Sequence, residues 1–416
     1  MPYEMVDHLQ SALPLVQAAP IERPVSGSEY YHASIGSCPL TLERDRQIVF
    51  ALEAPADASM TPQRWRAAID AVTAVNPALR MRWVGVLGWS RWRSDGPSPA
   101  LRVMDHMPWD FKSNAGMEFL DEWPLNLRTG PVVEFIIGKR ADQRQVFIMR
   151  THHAIMDGMG GFHVFDELFR FLRGEALVGS NARFSDSDMI KALNPPKPRP
   201  LREPTCRVLE ASEVDPPPKD PGDDWVRMVF NTHSKQILAR MACAFAQLAH
   251  RRSSLPAVIA VPVDLRRHYP GLVAVTNFSS MLIVKLWPGE GPEVFQSRLK
   301  ALLNERMELA VASGFDAIRW FPQWLVDLLL GRTWRNFMKR RPMETVVISN
   351  LGVVPLDRFQ APGFQCDDFG LAPLPGNGFA TLHQVNGQLR IVLNLPRIQT
   401  HVMSFDEVQE ALQALL

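Results

Sequence analysis

The residues best suited to chemistry lie in one stretch, Thr151-His152-His153-Ala154-Ile155-Met156-Asp157-Gly158. Two histidines are followed at fixed spacing by an aspartate and a glycine. An imidazole titrates near neutral pH, so it can take a proton from a hydroxyl or an amine and hand it on. The aspartate can point away from the site and hold the loop through an ion pair. The glycine leaves a backbone N–H open to a substrate. A His-His pair alone is weak, since histidines commonly serve as packing. The added Asp-Gly, placed between a strand and a glycine-rich helix start, makes the pattern much more specific.

The flanking sequence shows what must position these groups. Residues 145–150 form an apolar run with the length of a buried strand. After Gly160-Gly161, apolar residues at 162, 164, 165, 168, 169 and 172 have helical spacing. The histidines therefore stand where a strand ends and a loop turns into a helix, a usual place for reactive groups in α/β proteins. Upstream, residues 47–53 read as a strand, and Thr61-Pro62 as an N-cap and first helical residue. Trp65, Ala68, Ile69, Val72 and Val75 lie on one face of the helix that follows, and Asn76-Pro77 ends it. Residues 131–137 and 145–150 read as a hairpin pair leading into the histidines.

Nine prolines crowd into residues 194–225. Proline lacks the amide donor and fixes φ, so this stretch is expected to be a stiff linker or crossover between domains 1–193 and 226–416. In the second part, residues 234–251 and 292–309 read as helices, 257–262 as a strand, and 316–337 as one amphipathic, aromatic-rich helix. Arg332, Arg335, Lys339, Arg340 and Arg341 follow along it. That combination suits a membrane surface, an anionic carrier protein or the phosphates of coenzyme A; its plain alternative is a packed helix with a solvated basic end.

Composition narrows the classes. The 416 residues exceed one average core, and 46% are hydrophobic, which suits a globular protein. A net charge of +1 gives no reason to expect nucleic acid. No apolar run has the length of a membrane span. The first twenty residues carry early acids and no basic region, unlike a signal peptide. Cys38, Cys206, Cys243 and Cys366 are dispersed without metal-ligand spacing, so no metal is expected and a reducing cytoplasm is the simplest setting. A P-loop, a dinucleotide-binding glycine motif and a Gly-x-Ser-x-Gly elbow are all lacking, which lowers nucleotide binding and serine hydrolysis.

His-His-x-x-x-Asp-Gly resembles the signature of the chloramphenicol acetyltransferase-like superfamily. Its members include peptide-synthetase condensation domains, BAHD acyltransferases, wax ester synthases, polyketide-associated acyltransferases and alcohol acetyltransferase-like proteins. Further resemblances lie in Asn76-Pro77-Ala78-Leu79-Arg80, in Val261-Pro262-Val263-Asp264-Leu265-Arg266-Arg267 followed by Asn277-Phe278, and in Ser349-Asn350-Leu351-Gly352. Asp367-Asp368-Phe369-Gly370 is a partial match to a BAHD motif, with Leu371 and Ala372 in place of its Trp and second Gly, and a structural role is expected of it.

The resemblance implies an α/β fold of two similar subdomains, a pseudodimer, with the active site in a tunnel between them. It implies acyl transfer from acyl-CoA or an acyl carrier protein to an alcohol or amine, with His153 as base and Gly158 supporting the oxyanion. His152, Asp157 and Arg266 would support the site, Arg266 as partner of Asp157; solvated strand-end charges are the alternative for Arg266 and Arg267. Asn277, Ser349, Asn350, Arg335 and Arg340 are candidate contacts for substrate or donor. A monomeric, free-standing, cytoplasmic enzyme of secondary or lipid metabolism without a bound cofactor is expected. A wax ester or diacylglycerol acyltransferase with peripheral membrane contact, and a non-catalytic binding protein, are the alternatives.

Overall fold

In the computed structural model, residues 18–35, 47–198, 205–210, 222–231, 236–339, 344–374 and 378–416 are described, the side chains of 35, 311–315 and 333–339 excepted. The elements of the first half are α1 (Gly27–Ile35), β1 (Gln47–Ala54), α2 (Pro62–Val75), β2 (Ala100–Met104), β3 (Val133–Lys139), β4 (Gln145–His152), α3 (Gly158–Leu172) and α4 (Asp186–Ala192). In the second half come β5 (Asp223–Phe230), α5 (Ile237–His250), β6 (Ala257–Asp264), β7 (Ser279–Leu286), α6 (Pro292–Asn304), α7 (Met307–Ser313) and α8 (Gln323–Lys339). They are followed by β8 (Val346–Val353), β9 (Asp368–Ala372), β10 (Phe379–Val385), β11 (Gln388–Pro396) and α9 (Phe405–Gln413).

Two mixed sheets organise the chain. The first has the order β9-β1-β4-β3-β2, and the second β7-β6-β8-β10-β11-β5. Each builds its own core. One gathers Phe50, Trp65, Phe135, Phe147, Phe165 and Phe169; the other gathers Phe230, Phe245, Ile259, Ile348 and Leu393. β4 is buried along its whole length because it is the middle strand of its sheet, between β1 and β3. Phe147 on it stacks on Trp65 of α2, with ring centroids 3.9 Å apart. Trp65 is held there because α2 starts as expected, with the Thr61 hydroxyl accepting from the Arg64 amide at 3.3 Å.

β4 also buries a charge. Arg150 is fully enclosed and donates to Glu134 at 2.5 Å, to the Leu120 carbonyl at 2.5 Å and to Gln47 at 3.2 Å. A buried guanidinium needs this many acceptors. They tie the end of β4 to β3, β1 and the loop before β3, and so fix where the next two residues emerge. In register, His152 faces Gln47, the first residue of β1.

Three expectations need correction. Residues 316–337 do not form one helix: a 3-10 helix (Gly314–Trp320) ends before Pro322, and α8 begins at Gln323. Proline disfavours helical geometry in the residue before it, which breaks the run there. The expected helix over 292–309 is likewise divided into α6 and α7, with Arg306 between them at φ +58°. Strand β5 starts at Asp223, inside the proline-rich stretch, because the prolines stop at Pro221 and an apolar-rich run, Trp225 to Phe230, begins. β9 also crosses from the second half to the edge of the first sheet, pairing Phe369 with Leu52. Phe359, Phe364 and Phe369 accordingly sit in the first core. Among the described residues no helix is long and apolar enough to cross a membrane.

The halves also meet at α3. A Cβ on Gly160 would lie 2.1 Å from the Val275 carbonyl oxygen, and one on Gly161 would lie 2.4 Å from the Phe50 ring. Glycine is required at 160 because the obstacle is backbone of the other half. Gly160→Ala is expected to lower stability by ~1–3 kcal/mol, the usual cost of overpacking. Urea denaturation followed by circular dichroism measures this; an unchanged midpoint would show slack at the joint.

Candidate functional site

β4 ends at His152, and the chain turns at once. The His152 ring Nδ1 accepts from the Ala154 amide at 3.1 Å, and the His152 carbonyl accepts from the Ile155 amide at 2.9 Å. Ala154, Ile155 and Met156 are buried and plug the turn into the core. His152 itself is buried and shapes this turn.

His153 is held differently. Its Nδ1 lies 3.1 Å from the Met156 carbonyl oxygen. A carbonyl can only accept, so Nδ1 carries the proton, and the neutral ring has its lone pair on Nε2. Burial pushes the His153 pKa below its ordinary 6.5, against the opposing pull of the Met156 carbonyl and Asp157. The ring is thus neutral at pH 7, in one tautomer, with Nε2 able to accept a proton.

Asp157 is the N-cap of α3, and its Oδ1 accepts from the Gly160 amide at 2.8 Å. The same carboxylate takes two parallel bonds from Arg266, at 2.9 and 3.0 Å, and a fourth from the Phe278 amide at 2.8 Å. Arg266 also donates to the carbonyls of Ala274 and Thr276 and to Asp264. Burial opposes the charge on Arg266, but Asp157 and Asp264 outweigh it and raise the pKa. Met156 and Thr276 form an isolated antiparallel bridge beside this pair. The loop of the first half is therefore fastened to the segment after β6 in the second.

The remaining sequence candidates divide. Gly158 is the first helical residue of α3, and a helix leaves its first amides without intrahelical acceptors, pointing outward with partial positive charge. Its Cα faces Leu351, since an added Cβ would lie 3.3 Å from that side chain. Asn277 is buried: it donates to the His153 carbonyl at 3.2 Å and accepts from the Ser279 hydroxyl at 2.7 Å, which braces the loop. In the Ser349-Asn350-Leu351-Gly352 turn, Leu351 is the residue brought to Gly158; Asn350 is exposed and accepts from the Gly352 amide, and Ser349 is half-buried. The side chain of Arg335 and the whole of Arg340 lie outside the described residues.

His32 was not singled out by its sequence. It lies on α1, and its ring packs tilted against that of His153, with centroids 3.9 Å apart and planes 33° apart. The available signal was the Ser26-x-x-Glu29 capping box that opens α1, with bonds of 3.3 and 2.8 Å between side chains and amides. Other nucleophiles lose ground. Cys206 and Cys243 are buried, and burial pushes each thiol up to about 11, away from the reactive thiolate. Among the described residues no three His, Cys, Asp or Glu side chains could share a metal ion.

No protein-family profile and no curated sequence matches this chain. Solved structures do match over nearly all of it. The condensation domain of the monacolin K polyketide synthase MokA superposes with a TM-score of 0.64 at 12% identity, covering 94% of this chain and 97% of that one. Polyketide synthase associated protein 5 from Mycobacterium tuberculosis gives 0.61 at 16% identity, covering 94% and 96%. The starter condensation domain of rhizomide synthetase RzmA, as a double mutant in complex with C8-CoA and Leu-SNAC, gives 0.58 at 15%, covering 95% and 94%. The chain has the condensation-domain fold, a mixed α/β architecture of two subdomains.

The Asp157–Arg266 pair is buried, with side chains 6% and 12% exposed, so losing one partner strands a charge. Asp157→Asn or Arg266→Met alone is expected to cost ~3–5 kcal/mol. The double variant is expected to cost much less than the sum of the two. A double-mutant cycle of thermal or urea unfolding measures the coupling; strictly additive losses would show that the two groups act independently.

Proposed function

We propose that the protein is an acyltransferase that moves an acyl group from a thioester to an alcohol or amine. The reading rests on one observation above the others: the Met156 carbonyl fixes His153 in the tautomer that leaves Nε2 free to accept a proton. Nε2 takes the proton of the acceptor as its oxygen or nitrogen attacks the thioester carbon. The new C–O or C–N bond forms, the carbonyl oxygen becomes an oxyanion, and we assign the Gly158 amide, at the N-terminus of α3, to donate to that charge. Collapse breaks the C–S bond, and the proton on Nε2 passes to the leaving thiolate. Asp157 and Arg266 hold the loop, and His152 and Asn277 brace it.

The donor is proposed to be a coenzyme A thioester or a carrier-protein thioester. The complex of RzmA with C8-CoA supports a donor of this class, as does the shared fold. Arg332 is exposed and begins the basic run, with Arg335 and Arg340, that we assign to steering an anionic donor.

A specific observation also favours a lipid-facing surface, as the wax ester or diacylglycerol alternative requires. Trp89, Trp320, Phe321, Trp324, Leu328 and Leu329 are all at least half exposed. A groove of ≈ 230 Å³ opens beside them between Trp83, Val86, Leu87, Pro322 and Trp324. Arg128 and Arg319 lie over the rings of Trp83 and Trp320. Aromatic and leucine side chains bordered by arginines suit an anionic lipid interface.

His153→Ala is expected to lower kcat by ~10²–10⁴-fold with the fold retained. A folded variant keeping more than about half of wild-type kcat would remove His153 as the base. In the wild type, the depressed pKa means that the base stays unprotonated as pH falls through 6.5, so the acid limb of kcat/KM should lie below that value. For the lipid surface, wild-type protein should sediment with phosphatidylglycerol vesicles at low salt and Trp324→Ser should not; wild type left in the supernatant overturns that reading.

A further inference from the structure

The proposed base packs against a second imidazole, tilted 33° to it, that the proposed reaction does not use. His32 comes from α1, more than a hundred residues before His153 in sequence, and α1 is anchored with unusual care. Glu29 takes two bonds from Arg23, at 2.9 and 2.5 Å, one from the Ser26 amide at 2.8 Å, and one from the Trp92 indole at 2.9 Å. Arg23 and Glu29 are both buried. Ser28 donates to the buried Asp186 of α4 at 2.5 Å, and the Tyr30 hydroxyl donates to the Phe321 carbonyl at 2.8 Å. These contacts come from four separate segments, and together they set the position and rotation of α1. They are what brings His32 against His153.

We propose that His32 is a positioning residue for His153: its ring covers one face of the base, holds the plane of that ring, and lets the pair carry only one proton. The proposal rests on His153 being the base. Two imidazolium rings with centroids 3.9 Å apart would repel strongly where both are half-buried. A neutral ring beneath an imidazolium is instead attracted through its π face. His32 therefore stays neutral while His153 gains and loses the proton. It also keeps water from one face of His153, and that exclusion contributes to the burial that favours the neutral base.

The charges around the pair agree with this assignment. Burial lowers the His32 pKa well below 6.5, and His153 and His152 lower it further. Asp157 is the charged group acting on His153, and it is committed to Arg266. On the elements packed against α1, Asp316 is paired with Lys191 and Ser187, Arg319 with the Val25 carbonyl, Glu308 with His268, and Asp186 with Ser28. Asp327 on α8 acts on Tyr30, and Tyr31 lies edge-on to His32. Among the described residues, the groups that act on His32 are His153 and His152 and include no acid.

The test needs no knowledge of the substrate. In the intact protein labelled with ¹⁵N-histidine, the ring nitrogens of His153 report both tautomer and titration. The wild type should titrate below 6.5 with the proton on Nδ1. His32→Ala should raise the His153 midpoint by about one unit toward the ordinary value and mix the tautomers, because one face becomes wet. His32→Phe keeps a flat ring without a titrating group and should restore the wild-type midpoint. An unchanged His153 midpoint and tautomer in folded His32→Ala would make His32 packing only and overturn the proposal. Where His32→Ala does not fold, His32→Gln carries the same comparison. Failure of the acyltransfer reading shows separately, as full activity in His153→Ala.

Discussion

The structure depends on what surrounds one carboxylate. Asp157 has two oxygens and takes four hydrogen bonds, from the Gly160 amide, the Phe278 amide and both terminal nitrogens of Arg266. Each bond does a different mechanical task. The first starts α3 and so aims the amide of Gly158. The others come from the second half, so the carboxylate decides where that half sits against the first. A buried ion pair of this kind is weak ground for stability, because desolvation offsets most of the attraction. Its value here is geometric. A bidentate guanidinium accepts a carboxylate in essentially one orientation, so the pair sets an angle as well as a distance.

The glycines after the aspartate follow from the same constraint. With Asp157 bonded to the Phe278 amide, the first turn of α3 must press on the backbone near Val275. Only a residue without a Cβ allows that approach at 160, and the Phe50 ring imposes the same demand at 161. Two further ties make the joint cooperative. Asn277 reaches back to the His153 carbonyl, and β9 completes the first sheet with a strand from the second half. His153 is thus carried by one half and held by the other, which fixes the ring that we propose as the base.

Much of this could be read from residues. The apolar run of β4, the helical spacing of α3 and the Thr61-Pro62 start of α2 are local signals, and local signals survive in a single sequence. The pairing of Asp157 with Arg266 was reached differently. The residues show only that a buried carboxylate needs a cation, and the resemblance to a family pointed to which one. What could not be read is what depends on distant partners. β9 is five residues long, and its pairing with β1 is not coded in its own pattern. Arg150 looks like a polar strand end, yet Glu134, Gln47 and two carbonyls bury it. The break before α8 was legible in Pro322, but the strong aromatic periodicity around it pointed the other way.

His32 shows why a site can be larger than its motif. A motif records residues held at fixed spacing along one segment, and His152 to Gly158 is such a segment. The chemical environment of His153 is set across segments: a carbonyl three residues on, an asparagine from the second half, and a ring from α1. Of these the ring is the most exacting, because stacking needs both position and tilt. That demand gives a physical reason for the buried Arg23–Glu29 pair at the start of the same helix. Polar groups are costly to bury unless their geometry is complete, and a complete set holds a helix in one place. The ion pair that seats α1 and the ion pair that seats the loop then do the same kind of work, one on the helix that carries His32 and one on the loop that carries His153.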